Sequence, residues 1–322
     1  MARITRQLEE AAARLNAGGL VAMPTETVYG LAARADLPEA VASVFRMKGR
    51  PSTNPLIVHL ANAEDAQCWA ETIPDHATQL MRRFWPGPLT LVLKARPEVS
   101  RQITAGQDTV ALRVPAHPLA RQLIGAVGHA LVAPSANRYM SVSPTSAEHV
   151  ATQFEKEELL ILDGGPCSVG LESTILSALP EDQVRLLRPG MIDLLAVEAL
   201  LGQPVSDDVP ETIRVPGQHR RHYAPHTGLY GFNLDRSGQW QAMQVRSDVG
   251  WILCGGQVEA QGKVIQLGSE VGHYAQRFYD ALYQLDACNL SRIWVEWPPE
   301  RPEWLAIRNR LVRAITPVEG QV

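Results

Sequence analysis

None of the four cysteines, Cys68, Cys167, Cys254 and Cys288, stands in a CxxC pair, and they lie far apart in a chain of 322 residues. That spacing excludes zinc-finger ligation and the small disulfide scaffold of secreted domains, and it predicts reduced thiols in a cytoplasmic protein. No apolar run approaches the roughly 18 residues that a membrane span needs. The N-terminal MARITRQLEEAAARLNAGG lacks the apolar core of a signal peptide, so a soluble protein is expected. Positive charge is not in excess either: the formal net charge is −4, so any phosphate site must be a local basic cluster. There is no GxxxxGK[ST] loop, so bound ATP would not sit on a P-loop. With neither GxSxG nor SxxK present, a covalent role for a serine is not expected. Internal repeats and low-complexity tracts are also missing.

What is present is the composition of an ordinary globular protein, 45% hydrophobic and 20% charged, long enough for about two domains with a core each. An amphipathic helix is predicted from about Thr5 to Asn16, with Leu8, Ala11, Ala12 and Leu15 on one face and Gly18-Gly19 as its stop. Short apolar runs read as strands at Leu20 to Met23, Leu56 to Leu60, Leu89 to Leu93, Val110 to Val114, Ala130 to Ala133, Leu159 to Leu162, Ser173 to Leu176 and Val184 to Leu187. Helical patterns between them argue for an α/β or α+β domain over residues 1–204, with the choice between parallel and mixed pairing left open. Residues 205–227 hold several prolines and little apolar periodicity, and read as an extended connection that is unusually basic and aromatic for a spacer. Over 228–322, strands at Val249 to Leu253, Lys263 to Leu267 and Arg292 to Trp297 and helices near His273 to Leu285 and Glu303 to Ile315 make a smaller α/β unit.

Several polar segments leave these strands. Pro24-Thr25-Glu26-Thr27-Val28-Tyr29-Gly30 presents two hydroxyls and a carboxylate at a strand's carboxyl end, where α/β sheets place ligands; the alternative is a turn whose threonines cap the next helix. Arg46, Lys48 and Arg50 follow a helix ending near Met47, with Asn54 and His59 just beyond. Such a cluster of cations and amides suits phosphate, and its alternative is a solvated face. Ala133-Pro134-Ser135-Ala136-Asn137, continuing through Ser141 and Ser143, offers hydroxyls and backbone N–H groups to phosphate oxygens or forms an ordinary turn. Gly164-Gly165, Gly170 to Thr174 and Arg188-Pro189-Gly190 are further polar elements beside strands. His219, His222 and His226 have no carboxylate or cysteine at ligand spacing, and Pro225 precludes a continuous helix there, so no metal site of the chain's own is expected.

Taken in order, PTETVYGL, KGRPSTNPLIVHL, FWPGPLTLVL, ALRVP, APSAN, LESTI and RPG resemble the Sua5/YrdC family across roughly Leu8 to Leu201. PGQHRRHYAPHT followed by a second α/β unit is similar to the longer Sua5 form. The resemblance implies a YrdC-like open, twisted mixed sheet with helices, a linker that closes as a lid, and a smaller Rossmann-like C-terminal domain. It implies a nucleotidyltransferase that makes L-threonylcarbamoyl-adenylate from L-threonine, bicarbonate and ATP, releasing pyrophosphate, as the first step of t6A modification at position 37 of tRNA. Lys48 and Arg50 would then be catalytic. Arg50, Asn54, Thr109, Ser135, Asn137, Ser143, Arg188 and Tyr223 would face ATP, and Thr27, His59, Arg113, Ala133 and Ser173 would hold L-threonine. Mg2+ would be held mainly by the ATP phosphates, and the product would pass to a downstream threonylcarbamoyl-transferase machinery. The sequence departs from the family pattern at Gln218-His219-Arg220, while the HYAP end is intact.

Two rival readings belong to other classes. RNA binding without catalysis would use the same cations, extended by Arg82, Arg83, Arg220 and Arg221, but the net charge is negative and no basic stripe with interleaved aromatics is present. A carbamoyl-transfer module of hydrogenase maturation would bring paired CxxC motifs, which this chain lacks.

Overall fold

The computed structural model describes residues 1–180, 182–208, 213–217, 222–234, 241 and 243–316. They form two compact units, one of Met1–Tyr139, Pro144–Ser168 and Glu172–Gln218, the other of Met140–Ser143, Val169–Leu171 and His219–Val322.

The first unit is built on ten strands: β1 (Arg3–Thr5), β2 (Val21–Met23), β3 (Gly30–Arg34), β4 (Ile57–His59), β5 (Leu89–Lys94), β6 (Thr109–Arg113), β7 (Leu131–Val132), β8 (Leu160–Leu162), β9 (Thr174–Ser177) and β10 (Arg185–Arg188). Their order across the sheet is β1-β8-β2-β3-β7-β4-β6-β5-β9-β10. Pairing is mixed. β4 runs parallel to β6 and β5 parallel to β9, while β7 and β5 run antiparallel to β4 and β6 respectively.

Helices cover both faces, because strand alternation sends apolar side chains to each. Ala22, Leu31, Ala33, Val58 and Val132 point to one side, where they pack with Ala40, Val41, Val44 and Phe45 of α2 (Pro38–Lys48) and Leu80 of α3 (Asp75–Phe84). Their neighbours Val21, Met23, Ala32 and Leu131 meet Ala11 and Leu15 of α1 (Leu8–Asn16) on the other side. Also on that second face, Ile57, Val92, Ala111, Ile175 and Leu187 are covered by Ile213 and Val215.

α1 begins three residues later than its apolar spacing predicts, because Arg3–Thr5 is drawn into parallel pairing with Leu160–Leu162 at the sheet's edge. One exposed side chain, Ile4 at 42%, carries little alternation to mark that strand. α2 starts on Pro38, where a missing N–H costs nothing, and stops at Gly49, whose φ of 66° is the left-handed turn glycine adopts freely. The helix runs one residue past Met47, so Lys48 is its last residue.

In the second unit, β11 (Leu229–Phe232), β12 (Val249–Leu253), β13 (Lys263–Gln266) and β14 (Arg292–Glu296) form a fully parallel sheet in the order β11-β14-β12-β13. Phe232, Val249, Trp251, Leu253 and Trp294 make a core of its own. Helices span Val271–Asp286 and Leu305–Ala314, the latter entered through a 3-10 turn at Pro302–Trp304. No described helix is long and apolar enough to cross a membrane.

Candidate active site

The turn that joins β2 to the antiparallel β3 is buried, and its threonines do not cap a helix. Thr25 Oγ1 donates to Val28 O (2.7 Å), accepts from Thr27 N and Val28 N (3.2 Å each), and lies 2.9 Å from Thr27 Oγ1. These bonds fix Thr27 so that its hydroxyl accepts from Arg113 Nη1 at 2.9 Å. The same guanidinium donates from Nη2 to Glu26 Oε1 (2.6 Å) and from Nε to Gly87 O (3.3 Å). Arg113 and Glu26 form an ion pair with side chains only 5% and 6% exposed. Glu26, which the sequence shows only as one polar group of a turn, is drawn into this cluster by a partner 87 positions away.

His59 closes β4 directly opposite Arg113 in the parallel ladder. Its Nδ1 lies 3.2 Å from Ile57 O. Burial, and then the charge of Arg113, push its pKa down from 6.5 to about 3, so the ring is neutral at physiological pH. Ala133 follows β7 and donates its N–H to Ile57 O (3.2 Å). Next to β9, Ser173 Oγ lies 2.7 Å from Thr90 Oγ1 and accepts from Arg188 Nη2 (3.0 Å), while the Ser173 carbonyl accepts from Arg188 Nε and Nη2 (3.1 and 2.9 Å).

Register explains the convergence. His59 has the parity of Ile57, Arg113 that of Ala111, and Ser173 that of Ile175, so all three belong to the face on which those apolar residues cluster. Ala133 packs with Leu131, which pairs with His59 across the ladder. Polar groups thus interrupt an otherwise apolar sheet face at one end of β4 and β6.

Thr109 begins β6 and Arg113 ends it. Four residues of strand separate their Cα atoms by about 13 Å, so Thr109 stands at the far end of the same face. Near that end Arg50 Nη2 donates to Pro55 O (3.0 Å) and Asn54 Nδ2 to Tyr139 Oη (3.2 Å).

Lys48 and Arg50 are buried, 3% and 8% exposed, which overturns the reading of this cluster as a solvated face; only Arg46 is exposed. Lys48 Nζ donates to Ser135 O (2.5 Å), Asn137 O (2.6 Å) and Asn137 Oδ1 (3.3 Å). Burial and then the neighbouring Arg50 lower its pKa well below the ordinary lysine value, but three acceptors around one nitrogen suit the three protons of an ammonium. Ser135 Oγ in turn donates to Asn137 Oδ1 (2.6 Å). Lys48 therefore ties the APSAN loop to the end of α2.

Thr27, His59, Arg113, Ala133, Ser173 and Arg188 are brought together at one end of the sheet face, and Lys48, Arg50, Asn54, Thr109, Ser135 and Asn137 are placed by the same unit. Ser143 and Tyr223 belong to the second unit. There Ala224 N donates to Met140 O (3.1 Å), and the Tyr223 ring stacks on Tyr279 at 6.0 Å with the Arg310 guanidinium 5.3 Å from its centroid. Gln218, His219, Arg220 and Arg221 lie outside the described residues. Two further cavities of about 420 Å³, one around Cys68 and His129 and one around Arg46 and Arg138, include none of the expected site residues.

Comparison with known proteins also divides the chain in two, at a boundary that falls before the last part of the first compact unit. Residues 13–190 match the Sua5/YciO/YrdC family model, described as "Telomere recombination", and residues 191–315 match "Threonylcarbamoyl-AMP synthase, C-terminal domain". The threonylcarbamoyl-AMP synthase of Pyrococcus abyssi is 39% identical over 94% of this chain and 92% of its own length. That of Bacillus subtilis is 39% identical over 96% and 92%. A crystal structure of P. abyssi Sua5 complexed with L-threonine aligns with a TM-score of 0.87 at 38% identity, covering 98% of this chain and 99% of that one.

Proposed function

Because this chain belongs to the Sua5/YciO/YrdC family, in its long form with the Sua5 C-terminal domain, we propose that it makes L-threonylcarbamoyl-adenylate from L-threonine, bicarbonate and ATP. The product would be the activated donor for t6A modification of tRNA in the cytoplasm, passed to a separate threonylcarbamoyl-transferase. The observation that carries this reading is the convergence of Thr27, His59, Arg113 and Ser173 on one buried sheet face, with two buried cations, Lys48 and Arg50, in the same unit.

In this reading the threonine end holds Thr27, His59, Arg113, Ala133 and Ser173. The nucleotide is held by Arg50, Asn54, Thr109, Ser135 and Asn137, and by Arg188, which stands beside Ser173 where the two substrates meet. The amine of threonine attacks the carbon of CO2 derived from bicarbonate and loses a proton, leaving a carbamate. A carbamate oxygen then attacks the α-phosphorus of ATP, the bond to the β-phosphate oxygen breaks, and pyrophosphate leaves.

No side chain need bond covalently to substrate, so the protein's contribution is position and charge. Arg50 acts on the charge that develops at phosphorus. Lys48 acts by its own charge and by fixing Ser135 and Asn137. Among the described residues no three His, Cys, Asp or Glu side chains form a ligand set; Mg2+ would arrive on the phosphates and neutralise their charge.

The test is pyrophosphate release by the purified chain with each substrate omitted in turn. Release that needs ATP, L-threonine and bicarbonate together, and that falls when serine replaces threonine, supports the proposal. Release independent of the amino acid overturns it.

A further inference from the structure

The Glu26–Arg113 pair leaves specific atoms without partners. Glu26 is 5% exposed, and while its Oε1 accepts from Arg113, its Oε2 is buried and accepts from no described residue. A buried carboxylate oxygen with no donor is costly, and native structures keep such atoms where a ligand or water supplies the missing bond. Arg113 has five N–H groups, of which three go to Thr27, Glu26 and Gly87. Among the described residues, one N–H on each terminal nitrogen has no acceptor.

The pair as a whole is neutral, and it offers one acceptor and two donors side by side. That pattern is the complement of an amino-acid zwitterion, whose ammonium donates and whose carboxylate accepts two bonds in the plane of a guanidinium. His59 adds no charge against the ammonium, because the ring is neutral in the folded chain.

We propose that Glu26 is a specificity residue for the amino-acid substrate, its Oε2 accepting from the α-ammonium group while the free N–H groups of Arg113 bind the α-carboxylate. This rests on the reading that places L-threonine beside Thr27, His59 and Arg113. Thr27 Oγ1 already accepts from Arg113 and lies against Thr25 Oγ1. Of the acceptors bonded to Arg113, Glu26 Oε2 is the charged one without a donor among the described residues, and recognition of the ammonium falls to it. Glu26 also neutralises Arg113 before the substrate arrives, which keeps a lone buried cation out of the empty site.

The experiment is calorimetric titration of the full chain with L-threonine and with 3-hydroxybutyrate, which has the same skeleton without the amine. Wild type is expected to bind threonine roughly tenfold or more tightly than 3-hydroxybutyrate, as a charge-assisted bond to a buried carboxylate implies. In Glu26→Gln the amide oxygen keeps the bond to Arg113 while an NH2 faces the ammonium. Threonine affinity should fall by a similar factor and 3-hydroxybutyrate affinity should stay within about twofold. Equal losses for both ligands would mean that Glu26 only supports Arg113, and no loss for threonine would mean that it supports nothing; either overturns the assignment. Should the variant not fold, wild type decides alone, because equal affinities for the two ligands also overturn it. Failure of wild type to bind threonine at all overturns the functional reading as well, and so is told apart from failure of the Glu26 assignment.

Discussion

Between about pH 6.5 and pH 3 the His59 imidazole binds its proton more readily in the unfolded chain than in the folded one, since burial and Arg113 lower its pKa only in the fold. The unfolded state then holds more protons, so stability rises with pH through this window and levels off above 6.5. Each unit of acidification inside the window costs about 1.4 kcal/mol from this residue alone. Urea unfolding of the first unit at pH 7 and pH 5 should show the loss, and His59→Asn should remove most of that difference. An unchanged pH dependence in the variant would mean that other groups carry it. The buried cations make a second expectation. Lys48→Ala and Arg50→Ala should each lower turnover by about two orders of magnitude while circular dichroism keeps the native secondary structure. Lys48→Ala should cost more stability than Arg50→Ala, because it removes three bonds that tie the Ser135–Asn137 loop to the end of α2. At this scale the motifs marked polar groups that the fold does join: Lys48, Ser135 and Asn137, named by two separate motifs, are linked by hydrogen bonds. A contact that depends on pairing across the fold was not readable: nothing local to Glu26 says that its carboxylate meets Arg113.

Strands and helices were legible where their pattern is internally repeated. β5, β6, β12 and the helix over Val271–Asp286 fall within a residue or two of the apolar runs that predict them. β1, β3 and β11 were not anticipated. β1 and β11 are short edge strands whose identity comes from a distant partner, Leu160–Leu162 and Arg292–Glu296 respectively. β3 reads Gly-Leu-Ala-Ala-Arg, without β-branched residues, and becomes a strand because β2 and β7 flank it on both sides. The RPG element shows what a strand end asks of one residue. A Cβ on Gly190 would stand 2.3 Å from Thr174 N and 2.7 Å from Thr174 Oγ1, atoms of a neighbouring buried strand that cannot yield. Gly190→Ala should therefore push β10 from β9, loosen the bonds from Arg188 to Ser173 and destabilise the first unit by about 1–3 kcal/mol. A thermal melt and the KM for both substrates would check this; an unaltered melt would show that the backbone accommodates the methyl group.

Over the whole molecule, composition and length foretold two α/β units but not their sheet order. The ten strands of the first unit alternate parallel and antiparallel neighbours with no regular rule, so pairing had to be settled by which apolar faces meet. Each unit has its own sheet and its own core, and unfolding is not expected to follow a single two-state transition. Trp69 and Trp85 lie in the first unit, Trp251, Trp294, Trp297 and Trp304 in the second. Indole fluorescence should thus report mainly the second unit, and Gly190→Ala should shift the far-ultraviolet transition to lower temperature while moving the fluorescence midpoint much less. Coincident shifts in both signals would mean that the two cores melt as one.

β6 carries Thr109 at its first position and Arg113 at its last, and a strand can be lengthened only in fixed increments. One inserted residue would turn Arg113 to the opposite side of the sheet, and two would restore its side but carry it about 7 Å further along. In the proposed reading the strand is a gauge block: it fixes how far apart the groups for the two substrates stand, and so the joined length that fits.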